Sequence, residues 1–267
     1  MQNRNLSLSS SLADQYKADG FVVCQDPVVP TEIVSKASWG MDELRAGRYE
    51  TGLPPQSSPW QPGDSPEKLC KIEMPQIANT AIMNLITYSA IGQIAAEITG
   101  AEMIQVWWVQ LLGKPPVSKQ EKTNIGWHQD RTYWQVWEEG SPLLTAWVAV
   151  SDVTEKDGPM RFVKGSHHWG FLENQGNFHG QDHQKQQSEI EQQQKGGWEE
   201  ISVTIPAGGM SFHHCLTYHA SGPNLSSNLR RSFAIHLRTE KAKPVDDRRI
   251  GLTQFIDNLD YCPIIYG

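Results

Sequence analysis

The stretch Gly126-Trp127-His128-Gln129-Asp130 sets an imidazole and a carboxylate two positions apart, in a window of β character. Side chains two apart on an extended segment point to the same side. His128 and Asp130 can therefore grip one metal ion together. A second histidine, His219, enters the turn Tyr218-His219-Ala220-Ser221-Gly222-Pro223-Asn224. Such a turn presents one side chain sharply, which favours His219 over the nearby His213 and His214. Two histidines and one carboxylate on one face of an ion, with the other positions open, form the facial triad of non-haem Fe(II) oxygenases. A 2-oxo acid can fill two open positions and O2 the third. The far carboxylate of a dicarboxylic 2-oxo acid then needs a fixed cation. Arg230 suits that role, because a guanidinium holds a carboxylate through two parallel hydrogen bonds and keeps its charge. Ser232 shares its strand face and can add a bond, whereas Arg231 must point the other way.

The elements that hold these residues fall into two textures. Residues 1–10 read as a frayed tail. Ser10 or Ser11 caps a short helix over residues 12–18, and Asp19-Gly20 turns the chain into a strand at 21–23. A second helix follows Pro30, with Thr31 as its expected cap. Residues 46–68 are rich in Gly, Pro and Ser and read as a long irregular loop. Arg48 and Tyr49 in that loop are candidates to reach a substrate. Residues 79–100 are apolar at helical spacing and end on Gly100, a good residue to stop a helix. From residue 104 onward about eight short strands alternate with turn signals. That pattern predicts a sandwich or jelly roll, with no βαβ alternation to support a parallel sheet.

Residues 173–197 are rich in Gln, Gly and His, and poor in apolar side chains. They read as a lid over the site. His179 and His183 lie four apart there, but no third ligand type surrounds them, so they do not read as a metal pair. The whole chain, 1–267, reads as one domain: a helical first third over about 10–100, a β core over about 104–240, and the lid.

Composition excludes several classes. A net charge of −7 without a basic block argues against nucleic acid as a partner. No apolar run approaching the roughly 20 residues of a bilayer span is expected, so no membrane partner is either. Cys24, Cys70, Cys215 and Cys262 are widely spaced, with no CxxC. They read as reduced, mostly buried thiols of a cytoplasmic protein. The ten tryptophans predict a core or pocket with much aromatic surface. Two of Trp107, Trp108, Trp127, Trp134 and Trp137 are expected to line the pocket, the rest to be core or rim.

The pattern also resembles a family. His128-Gln129-Asp130, the segment from His219 to Asn224, and Arg230 are similar to the phytanoyl-CoA dioxygenase family of Fe(II)/2-oxoglutarate oxygenases. Gln110 to Pro116, Ala146-Trp147, Asp157-Gly158-Pro159, Gly165-Ser166-His167 and Asp19-Gly20-Phe21 extend the resemblance over most of residues 12–240. It implies a mainly β fold with flanking helices, a double-stranded β-helix of the cupin-like jelly-roll type. It implies Fe(II) on His128, Asp130 and His219, and 2-oxoglutarate on Arg230. Gln110 and Trp147 would line the same pocket, and Lys71 sits where some members place a co-substrate lysine. The implied activity is hydroxylation of a small organic metabolite with conversion of 2-oxoglutarate and O2 to succinate and CO2. The alternatives are desaturation, epoxidation, halogenation, or a jelly-roll binding protein without turnover. Ala220, where many members have glycine, and the Gln-rich 173–197 segment depart from the family pattern and leave the substrate open.

Overall fold

A computed structural model describes every residue except 1–10, 119, 120, 122 and 195. The expected frayed tail lies outside the described residues.

Helix α1 (Leu12–Asp19) starts at Ser11, whose side chain accepts the Asp14 backbone N–H. It stops at Gly20, held left-handed at φ 81°, and the chain turns into β1 (Phe21–Cys24). Helix α2 (Thr31–Arg45) departs from the expected cap: Pro30 occupies the cap position without a side-chain bond, and Thr31 is already helical. The φ of Pro30, −57°, is fixed by its ring and suits helix entry. After the irregular segment comes β2 (Cys70–Glu73). Arg48 pairs with Glu43 on the surface and Tyr49 packs on the core, and neither lines the cavities around His128 and Asp130.

The apolar stretch 79–100 is two helices, α3 (Thr80–Ile86) and α4 (Ser89–Thr99), with Asn79 capping the first. Taken together, Thr80–Thr99 is long and apolar enough to cross a membrane by length and composition alone. Tyr88, in an extended conformation, breaks the stretch. Its Ile82, Leu85, Ile91 and Ala95 are fully buried in the protein's own core.

The β region runs β3 (Ile104–Lys114), β4 (Ile125–His128), β5 (Leu143–Ala149), β6 (Met160–Val163), helix α5 (His183–Glu191), β7 (Glu200–Val203), β8 (Met210–His214), β9 (His219–Ser221), β10 (Arg230–Thr239) and β11 (Ile264–Tyr266). One antiparallel sheet has the order β1-β8-β5-β10-β3-β11, with β2 also on β3. The second has the order β4-β9-β6-β7. This is the double-stranded β-helix.

Strand parity sorts the large sheet. Phe233, Ile235 and Leu237 of β10, with Leu144, Ala146 and Val148 of β5, pack with the helices in the largest core cluster. Their alternates, Arg230, Ser232, Ala234 and His236, and Thr145 and Trp147, must turn to the other face, between the sheets. A bulge where β3 meets His236/Leu237 leaves Trp107 without a partner on β10. That extra residue lets Val106 and Val109 both join the helix-side core.

The described residues of the segment 173–197, read above as a lid, are tied to the body of the protein. It contains α5, capped by Asp182, with Ile190 fully buried. Gln186 accepts the Trp127 N–H at 3.0 Å and donates to the Asn177 carbonyl at 3.0 Å. The Asn177 N–H reaches the Trp127 carbonyl at 2.8 Å, and the Gly126 N–H reaches Phe178 at 2.9 Å. Most of the anchors are polar, with backbone groups and the Gln186 amide prominent among them, and an apolar pattern does not reveal these. Gly126 is required for this approach, since a Cβ there would lie 2.2 Å from the Asn177 oxygen.

Candidate active site

His128 ends β4 and His219 opens β9, and the two are register partners across that antiparallel pair. Their rings meet with centroids 4.2 Å apart. Gln129, between the two predicted ligands, points away. Its amide donates to the carbonyls of Gly170 and Leu216 at 2.8 Å each and accepts the Leu172 N–H. Those bonds fix the turn in which Asp130 returns to the His128 side. The ligand atoms of His128, Asp130 and His219 all lie within 4.8 Å of one another, and all three residues are buried.

The imidazoles are oriented. His128 Nδ1 lies 2.8 Å from the Gly126 carbonyl and His219 Nδ1 lies 3.0 Å from the Thr217 carbonyl. A carbonyl only accepts, so each Nδ1 carries the proton and each Nε2 lone pair faces inward, as a metal requires. Burial lowers the pKa of both rings, which keeps them neutral. Burial alone would raise the Asp130 pKa, but the imidazoles of His219 and His213 outweigh it and hold the carboxyl well below the usual range. Two neutral nitrogens and one anionic oxygen, buried and converging, are a donor set that fits Fe(II).

Beside this cluster lies an inner chamber of about 60 Å³ whose walls include Gln110, Trp147 and Arg230. Arg230 is 3% exposed, and among the described residues no carboxylate lies within ion-pair distance. Its guanidinium donates to the Gly158 carbonyl and stacks over Trp147, 5.2 Å from the ring centroid. Burial pulls its pKa down to about 10, so it stays charged at neutral pH. Arg230 Nε and Ser232 Oγ are both buried without a hydrogen-bond partner. A buried cation and a buried hydroxyl left unmatched on one strand face suit an incoming carboxylate. Arg231 points outward, to Asp42 at 2.9 Å and to Ser38.

An outer chamber of about 240 Å³ shares Gln110, His128, Asp130, Phe178 and His236 with the inner one. Trp108 and Trp134 line it, while Trp107, Trp127 and Trp137 are fully buried. Lys71 lines only this outer chamber, where it pairs with Glu73 at 3.1 Å. His179 is on its wall, but His183 bonds to the Ile125 carbonyl, so the two do not form a metal pair.

Several residues of the site escape a motif reading. Thr145 and His213 hold Asp130 Oδ2 at 2.9 Å and 3.2 Å, and His236 Nδ1 lies 3.0 Å from Thr145 Oγ1. Strand parity from Trp147 and Arg230 points to Thr145 and His236. Phe178, T-shaped against His128 at 5.3 Å, carries no such signal in its Gln-rich surroundings. Lys114 faces Arg230 across β3 and β10, fully buried, donating to Ser221 and to the Gly222 carbonyl at 2.6 Å. Burial, aided by Arg230, pushes its pKa well below the usual range.

The phytanoyl-CoA dioxygenase profile matches residues 16–232. A probable alpha-ketoglutarate-dependent hypophosphite dioxygenase of Stutzerimonas stutzeri is 25% identical over 190 residues, 68% of this chain and 62% of that protein. The match thus spans less than two thirds of that relative's length. An ectoine dioxygenase of Bordetella parapertussis is 25% identical over 235 residues, 82% of this chain and 72% of its own. Among solved structures, the epimerase SnoN in complex with Fe3+, alpha ketoglutarate and nogalamycin RO superposes with a TM-score of 0.68. It shares 23% identity, over 87% of this chain and 84% of that one, a likeness of fold.

Proposed function

The chain belongs to the phytanoyl-CoA dioxygenase family, whose cofactors are Fe(II) and 2-oxoglutarate, and on that premise we propose that it hydroxylates a small organic metabolite. His128, Asp130 and His219 would hold the metal. Arg230 would bind the far carboxylate of 2-oxoglutarate, with Ser232 adding a bond and Gln110 and Trp147 forming the wall. The observation that carries this reading is Arg230: a buried guanidinium, with no carboxylate at ion-pair distance among the described residues, beside a buried His-Asp-His cluster in one chamber. A binding protein without turnover has no need of that pairing.

Iron held there would supply activation of O2 at the expense of 2-oxoglutarate, with succinate and CO2 as co-products. One oxygen atom would end in succinate and the other in the product alcohol. The chain's own residues position and shield. Thr145 and His213 hold one oxygen of Asp130 so that the other serves the metal. Phe178 and Tyr133 crowd His128 from the outer side, which restricts water. Segment 173–197 acts as a lid pinned through Gln186. Gln186→Leu should speed amide exchange at Trp127, and unchanged exchange would count against the pin.

Asp130 also favours hydroxylation over halogenation, because a halide needs the coordination position that the carboxylate takes. The test is mass spectrometry of products from a panel of small metabolites under ¹⁸O₂ in high chloride. Hydroxylation predicts a product that gains one labelled oxygen atom. A chlorinated main product, or one that only loses two hydrogens, would overturn the hydroxylase reading.

A further inference from the structure

We propose that the outer chamber receives the cationic nitrogen of a small substrate, with the Glu73 carboxylate as its anchor. This rests on the oxygenase reading above, since the outer chamber opens onto His128 and Asp130 and is where a substrate would meet the metal site.

Strand alternation puts Glu73 there. In β2, Cys70 and Ile72 join the helix-side core, while Lys71 and Glu73 turn toward the chamber. The Glu73 side chain is 13% exposed. Trp108 Nε1 donates to its Oε2 at 2.6 Å, and Gln110 Nε2 lies 3.4 Å from its Oε1. Both donors are neutral, so they fix the carboxylate without cancelling its charge. The carboxylate is therefore aimed before any ligand arrives.

The chamber already contains a worked example of its preferred guest. The Lys71 ammonium lies 3.1 Å from Glu73 Oε1 and 5.2 Å from the centroid of the Phe178 ring. A cation between a carboxylate and an aromatic face gains from both. Trp108, Tyr133 and Trp134 complete the aromatic wall. Lys71 is on a flexible four-carbon stem and partly exposed, so it can yield its place. A substrate nitrogen that takes it leaves Glu73 paired throughout. An anionic substrate has to draw Lys71 away and strand a largely buried carboxylate, which is costly. If the substrate also bears an anion, the displaced Lys71 can meet it.

The test uses three probes with one ring and three charges: cyclohexylammonium, cyclohexanol and cyclohexanecarboxylate. Each is titrated calorimetrically at pH 7 into the full chain loaded with Mn(II) and 2-oxoglutarate. The ammonium should bind about tenfold or more tighter than the other two, the scale of one charge-assisted bond. Glu73→Gln should erase that preference. Lys71→Met should tighten the ammonium by vacating its site, which a purely structural ion pair would not do. Equal or better binding of the alcohol or the carboxylate by wild-type protein overturns the proposal, whatever the variants do. So does a preference that survives Glu73→Gln. Succinate release by wild-type enzyme reports separately on the oxygenase reading.

Discussion

Thr145 donates its hydroxyl to Oδ2 of Asp130 at 2.9 Å, which leaves Oδ1 as the oxygen turned toward His219 and His128, at 3.6 Å and 3.8 Å. Because that proton is spent on Asp130, His236 Nδ1–H must be the donor to Thr145, at 3.0 Å. A three-residue line thus decides which carboxylate oxygen is free for a metal.

Thr145→Val keeps the shape and removes the bond. A hydrogen bond to a charged group contributes roughly 1.5–3 kcal/mol, and loss of such a support typically weakens metal affinity about 10–100-fold. Mn(II) titration of the variant should show that loss. Wild-type affinity would mean that Asp130 is held by packing alone.

His213 and His219 both touch Asp130, but from different oxygens. His219→Ala and His128→Ala should abolish turnover and most Fe(II) binding, because each removes an inward Nε2. His213→Ala should retain binding with reduced affinity, since His213 acts on Oδ2. If His213→Ala loses the metal and His219→Ala keeps it, the ligand assignment is wrong.

Arg230 and Arg231 are neighbours on opposite faces. Losing a buried charge partner costs about 2–5 kcal/mol, so Arg230→Ala should weaken 2-oxoglutarate binding roughly 30-fold or more. Arg231→Ala removes contacts to Asp42 and Ser38 and should leave that affinity unchanged. The reverse result would place the pocket on the other face of β10.

Acid should destabilise the metal-free protein through its buried neutral histidines. Burial drives His214 and His236 down to about 4. The unfolded chain takes up a proton at each ring near pH 6.5, whereas the folded chain does so only near 4. Unfolding therefore binds protons, and stability falls as pH drops through that window. Each ring contributes a loss of roughly 2 kcal/mol between pH 7 and pH 5. His214 Nδ1 accepts the Leu216 N–H at 3.1 Å, a role Asn can copy without titrating. The gap between guanidinium midpoints at the two pH values should narrow in His214→Asn, with His236 supplying the remainder, and an undiminished gap would assign the acid sensitivity elsewhere.

How far the chain discloses itself depends on the kind of signal. His128, Asp130, His219 and Arg230 converge as read, because parity and spacing are local. The eight strands β3 to β10 between Ile104 and Thr239 follow from turn residues and alternation. The break at Tyr88 does not, since apolar periodicity continues across it. Gln186 and Phe178 were hidden for another reason: a polar segment can be fixed by backbone hydrogen bonds to a neighbouring strand, and those leave no mark on hydrophobic pattern. Glu73 reads as an ordinary strand carboxylate until Trp108 and Gln110 are seen to aim it.

The most direct measurement is succinate released from 2-oxoglutarate by the purified chain, loaded anaerobically with Fe(II) and then exposed to O2. The account predicts slow succinate and CO2 formation in equal amounts without added substrate, dependent on Fe(II) and lost in Asp130→Ala. Wild-type protein that binds Fe(II) and 2-oxoglutarate yet releases no succinate, with or without the metabolite panel, would contradict it and leave a binding protein in place of an oxygenase.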